Sequence, residues 1–257
     1  MWYTVKGCAC SDKRDAEEIM NLMLMLVLSL MCYFFAGGYL KRLKVKNYNA
    51  ALLQKTLASA CFVGIGAFSL SMSWYEKFAQ LVFLGLCCGA VGDVLMAVAK
   101  NKNRKLTVRS ASFGVGMLVF LAGHVLYILG LADITFDVFK VGIPYAVAAV
   151  LLSLLFEKKQ KVDYSCGRRL KGGIVGAVIY LFAVFLMAGC ACGAAVYGFC
   201  PGTLLFAIGG LFFGLSDVIL TSNSFGAYPS HNKDISLIFF YYSGQILIAF
   251  SPILLIA

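Results

Sequence analysis

The sequence predicts an all-α membrane protein, a polytopic transmembrane bundle of about eight helices, and three observations carry that prediction. Of the 257 residues, 61% are hydrophobic and 13% are charged, with a mean hydropathy of +0.86; a soluble domain is about half apolar and a quarter charged. The apolar residues gather in runs near the ~20 residues that cross a hydrocarbon core as a helix. The cations collect in short clusters between those runs, as they do in the loops of membrane proteins. The net charge of +10 therefore marks loops, and nucleic acid is not expected as a partner. Helices are expected throughout, because strands facing lipid must close into barrels and period-two alternation is missing from the chain.

The first apolar run, residues 20–40, is longer than the core of a cleavable signal and follows a start of mixed charge. It reads as a retained span behind an N-terminal tail, residues 1–19. Further spans are expected at 49–72, 78–99, 111–131, 141–156, 173–196, 200–222 and 236–256, within a membrane domain of residues 20–257. Lys41, Arg42, Lys44 and Lys46 follow the first span; Lys100, Lys102, Arg104, Lys105 and Arg109 follow the third; Lys158, Lys159, Lys161, Arg168, Arg169 and Lys171 follow the fifth. The remaining loops carry only Lys77, Lys140 and Lys233. Basic loops thus alternate with sparse ones, and the positive-inside rule makes the basic face cytoplasmic and puts both termini on the other face. The membrane is a bacterial plasma membrane or an endoplasmic reticulum on this reading. Lys6, Lys13 and Arg14 in the tail run against the rule and are offset by Asp12, Asp15, Glu17 and Glu18. Cys32, Cys61, Cys87, Cys88, Cys190 and Cys192 lie in or beside apolar runs as small hydrophobes. Two histidines are too few for a His-rich metal centre. Cys8 and Cys10 share a face with Cys190, Cys192 and Cys200, which leaves a disulfide open in an oxidising compartment.

Six of eight aspartates lie in loops or the tail, whereas Asp93 and Asp217 interrupt apolar runs. An ionisable group there costs a few kcal/mol or more and marks function more often than structure. Asp93 stands seven residues before Lys100, and Asp217 six before Asn223. At a rise of 1.5 Å per residue, both fall ~10 Å from the basic end of their helices. Lys55, Tyr241 and Tyr242 fall at a similar level and Gln245 about a turn deeper, so one polar pocket in the basic-side half collects them. His124, fifteen residues past Arg109, is expected beyond the midplane, either in the site or as a bridge between helices. The two aspartates are 124 residues apart, and the third span of each half carries one. This suggests two parallel four-helix repeats, with Gly85, Gly89, Gly92, Gly209, Gly210, Gly214 and Ser216 letting the two acid-bearing helices approach.

The sequence resembles the lysoplasmalogenase family of YhhN-like integral membrane proteins. The matching pieces are Lys55, Gly92-Asp93-Val-Leu, Phe120-Leu-Ala-Gly-His124-Val-Leu-Tyr127, Tyr180, Ser216-Asp217 and Tyr241-Tyr242-Ser-Gly-Gln245, in order from about residue 41 to 250. Thr56 follows Lys55 where the family usually has proline, and the first 19 residues have no recognisable counterpart. The resemblance implies an eight-helix hydrolase that cleaves the vinyl ether bond of lysoplasmalogens to a fatty aldehyde and glycerophosphoethanolamine or glycerophosphocholine. The substrate would be a lysophospholipid, lysoplasmenyl-ethanolamine or -choline, drawn from among the membrane lipids. The resemblance carries the catalytic role onto Asp93 and Asp217, and substrate binding onto Lys55, His124, Tyr127, Tyr180, Ser216, Tyr241, Tyr242 and Gln245. No cofactor is implied, since proton transfer and water suffice.

The chemistry suits the residues. Protonating the β-carbon of a vinyl ether gives an oxocarbenium ion that water captures. This asks for one neutral acid and one anion, which two nearby carboxyls in a low dielectric supply. Which aspartate plays which part stays open in the sequence. Three other classes compete. An intramembrane aspartyl protease would need Gly-x-Gly-Asp, and Ala90-Val91 precedes Gly92-Asp93. A proton-coupled transporter would use the same acids as a relay. A structural or receptor protein leaves the matched acids unexplained.

Overall fold

The computed structural model describes residues 4–73, 76–159, 173–225 and 230–255, and among them every regular element is helical. The helices are α1 (Thr4–Lys44), α2 (Tyr48–Met72), α3 (Glu76–Lys100), α4 (Leu106–Ile134), α5 (Val138–Lys159), α6 (Gly173–Tyr197), α7 (Pro201–Phe225) and α8 (His231–Phe250), followed by a 3-10 turn, Ser251–Leu254. All eight are long and apolar enough to cross a membrane. Large apolar side chains such as Leu30, Phe34, Leu118 and Leu152 point outward from the bundle. A surface of that kind is solvated by lipid, and the chain is an integral, multi-pass membrane protein.

Local chemistry sets the helix ends. The α1–α2 turn closes with Lys46 N–H on Leu43 C=O and Asn47 N–H on Arg42 C=O, both at 3.0 Å, with Lys46 in the left-handed region at φ 57°. Asn47 then caps α2 by accepting from Ala50 N–H at 3.2 Å. Ser230 caps α8 on Asn232 N–H, and Asp234 sits in the first turn, where the helix dipole favours an anion. The expected spans fall inside the helices to within a residue, with two differences. α1 is one continuous helix of 41 residues that runs back through the tail to Thr4; its apolar part is Ile19–Lys44. The last span, expected to reach residue 256, gives up α-helix at Phe250, because Pro252 has no N–H to donate and the chain tightens into the 3-10 turn.

The same packing relations recur in the two halves. α1 on α2, α2 on α3 and α3 on α4 are matched by α5 on α6, α6 on α7 and α7 on α8. Two of the cross-contacts match as well: α4 lies on α6 as α8 lies on α2, and α5 touches α4 as α1 touches α8. This is the pattern of two parallel four-helix units related by an axis along the bundle. The glycines do not bring α3 and α7 together, however. A methyl group on Gly92 would meet the Phe120 ring of α4 at 2.7 Å, and one on Gly89 the Gln245 amide of α8 at 2.8 Å. Gly209 packs on Gly244 of α8, and Gly210 and Gly214 face α6. These small residues make room for groups of the flanking helices α4, α6 and α8. Cys190, Cys192 and Cys200 are free thiols, and the side chains of Cys8 and Cys10 lie outside the described residues.

Candidate functional site

Asp93 is 1% exposed and holds three polar neighbours from two helices. Lys55 and Ser59, one turn apart on α2, share a face. Lys55 Nζ lies 2.9 Å from Asp93 Oδ1, and Ser59 Oγ donates to Oδ2 at 2.5 Å. The third is the Tyr241 hydroxyl of α8, which lies against α3 at Gly89, one turn before Asp93. Behind Tyr241 runs a chain of donors: Gln245 Nε2 donates to Tyr241 Oη at 3.2 Å, and Tyr127 of α4 donates to Gln245 Oε1 at 3.1 Å. Four helices thus converge on Asp93, and α1 adds Tyr39, whose ring stands 5.4 Å from Lys55 Nζ in cation–π geometry.

Asp217 is built differently. The Tyr180 hydroxyl of α6 donates to its Oδ2 at 2.8 Å, and among the described residues no cation pairs with it. Tyr180 therefore occupies, in the second half, the place that Lys55 takes in the first: the second helix of each unit supplies the partner of the acid on the third. The surroundings of the two acids form one interior. Rings join them. Phe213 packs on Tyr241 at 5.4 Å between centroids and on His124 at 4.7 Å, and His124 stands 5.9 Å from Tyr180.

The sequence-derived residues fall as follows. Lys55, Tyr180, Tyr241, Gln245 and Tyr127 join the two networks just described. Ser216 donates to Phe213 C=O on its own helix at 2.7 Å. Tyr242 is wholly buried beside Phe62, and its hydroxyl meets no partner at hydrogen-bond geometry. His124 lies deeper than Asp93, since Gly123 next to it packs against Gly85 and Cys88 of α3. It is 1% exposed, and neither ring nitrogen has a hydrogen-bond partner, so it does not bridge helices by a hydrogen bond. A buried imidazole with both nitrogens unsatisfied marks a position for a water or a ligand oxygen. Sequence reasoning missed Ser59 and Tyr39. Ser59 carried one signal, its i+4 spacing from Lys55; Tyr39 carried none.

Chemically, the arrangement holds one carboxylate fixed by a lysine counter-ion and a serine hydroxyl, and one carboxyl with a single phenol for company. Both are buried, 1% and 5% exposed. No curated protein and no solved structure matches the chain. The profile of the YhhN family matches residues 50–252, which takes in the acids, their partners on α2, α6 and α8, and His124. The chain belongs to the YhhN family.

Proposed function

We propose that this protein is a lysoplasmalogenase-type hydrolase that splits the vinyl ether of a lysophospholipid into a fatty aldehyde and a glycerophospho-ethanolamine or -choline. The single observation that carries the reading is the unequal pairing of two buried carboxyls: Asp93 with Lys55, and Asp217 with a tyrosine hydroxyl. A buried charge with no counter-ion is costly, so Asp217 is the group that holds a proton, while Asp93 stays an anion against Lys55. YhhN membership supports the same reaction class.

The steps follow from that division. Asp217 gives its proton to the β-carbon of the vinyl ether, and positive charge develops on the α-carbon and the ether oxygen. Asp93, held in place by Lys55 and Ser59, is the negative pole that stabilises this cation. A water bound at His124 attacks the α-carbon and loses a proton to Asp217, which restores the acid. The hemiacetal then releases the aldehyde, its hydroxyl proton passing to the departing glycerol oxygen. Water, the two acids and the lysolipid are sufficient for this sequence. The basic loops face the cytoplasm in this reading, and the single-chain lipid enters from the surrounding bilayer with its head toward that face.

Purified protein incubated with lysoplasmenyl-ethanolamine is expected to release aldehyde. Asp93→Asn and Asp217→Asn should each lower the rate by at least about 100-fold, the scale of a lost acid–base or electrostatic group. Well-folded wild type that releases no aldehyde from either headgroup form would overturn the reaction. Wild-type rates in both variants would overturn the roles given to the acids.

A further inference from the structure

Above the two acids, at the basic end of the bundle, a second polar cluster ties together α3, α7 and α8. Lys100 Nζ of α3 lies 3.3 Å from Asp234 Oδ1 of α8, and Asn223 Nδ2 of α7 donates to that oxygen at 2.9 Å. Asn223 Oδ1 in turn accepts from Ser230 N–H at 2.8 Å. The cluster is open to solvent, with the Lys100 and Asp234 side chains 35% and 29% exposed. Its position on the three helices is regular: Lys100 stands seven residues beyond Asp93, Asn223 six beyond Asp217, and Asp234 seven before Tyr241. At 1.5 Å per residue each step is ~9–10 Å, so the Lys–Asp pair sits about 10 Å over the carboxyls.

That separation fits the molecule named under Proposed function. Seven bonds separate the protonated carbon of a vinyl ether lysolipid from its phosphorus, which spans about 9 Å at ~1.25 Å of advance per bond of ordinary length. A phosphate seated at Lys100 therefore places the β-carbon at the acids. Asp234, beside Lys100, offers the opposite charge to the amine that follows the phosphate. We propose that Lys100, Asp234 and Asn223 form the headgroup subsite, which takes a zwitterionic phosphoamine by exchanging one internal ion pair for two across the interface. The inference rests on the vinyl ether reading for its length match, and it assigns a binding role to residues on helix ends that the acids do not touch.

The test is binding, with a probe that cannot react. A saturated 1-O-alkyl lysophosphoethanolamine lacks the vinyl ether, and its affinity for full-length protein in detergent is read from the shift in melting temperature. Asp234→Asn should weaken that lipid about tenfold and leave the alkyl lysophosphatidic acid, which has no amine, within about twofold. Lys100→Gln should weaken both, while a phosphate-free alkylglycerol binds each variant as it binds wild type. The double exchange Lys100→Asp/Asp234→Lys keeps an ion pair between α3 and α8 but reverses its polarity; it is expected to recover the melting temperature of the free protein and not the affinity. Recovery of both, or equal losses for the lysolipids and the alkylglycerol, would show a latch between helices and overturn the subsite. Wild type that discriminates headgroups yet releases no aldehyde would leave the subsite standing and remove the reaction.

Discussion

Taking the charge from Lys55 leaves Asp93 an uncompensated anion in an apolar interior, with Ser59 as its remaining hydrogen-bond partner. Lys55→Met is therefore expected to cost about 3–5 kcal/mol of stability, the scale of a broken buried pair. Lys55→Met with Asp93→Asn removes both charges and should regain most of that loss in a detergent unfolding assay while aldehyde release stays absent. His124→Phe separates binding from packing at the other end of the site. Phenylalanine suits the rings of Phe213, Tyr127 and Tyr180 and has no nitrogen to satisfy. The melting temperature should hold or rise, and aldehyde release should fall by about 10-fold or more if a water is bound there; an unchanged rate would remove His124 from the reaction. At this scale the sequence was informative wherever a charge or a histidine broke an apolar run, as with Asp93, Asp217, Lys55 and His124. Ser59 stayed hidden because serines are common in spans, and Asp234 because a charge at a helix end already has a reason to be there.

The glycines act on whole elements. Gly85 and Gly92 of α3 admit the rings of Tyr127 and Phe120, and a methyl at either collides with them. Gly85→Ala and Gly92→Ala should each cost about 1–3 kcal/mol as overpacking. Gly114→Ala is the control on α4: open space surrounds it, and the gain in helix propensity should stabilise by about 0.5–1 kcal/mol. Lys46→Gly should also stabilise, by about 1 kcal/mol, since Lys46 is held in a left-handed turn that glycine enters freely. Melting curves of the four variants check the set. The helices themselves were legible from run length and loop charge. Their neighbours were not: small residues show that something packs closely, but not which helix does, and α3 and α7 were the wrong pair. Pro252 could have been used to end the last span at Phe250, since a proline removes the donor that another helical turn requires.

For the whole molecule, the matched packing of the two halves makes the Thr135–Asp137 connection between α4 and α5 a boundary between units. Co-expressed fragments 1–136 and 137–257 should copurify and regain aldehyde release, because the α4–α6 and α8–α2 contacts that join the halves need no covalent link; fragments that fail to associate would show that the halves are not separable. The repeat was visible beforehand in the 124-residue offset of the acids. What the offset did not reveal is that the halves differ at the partner: a lysine on α2, a tyrosine on α6. That difference has an electrical consequence. On the proposed assignment, with Lys55 and Asp93 cancelling and the proton kept on Asp217, the resting site has no net charge, and a transmembrane voltage exerts no net force on it. The proposed hydrolysis would move a proton a few ångströms and return it, so aldehyde release in sealed vesicles should be indifferent to an imposed potential. A relay that carried the proton across the bilayer would instead gain or lose about 2.3 kcal/mol for every 100 mV.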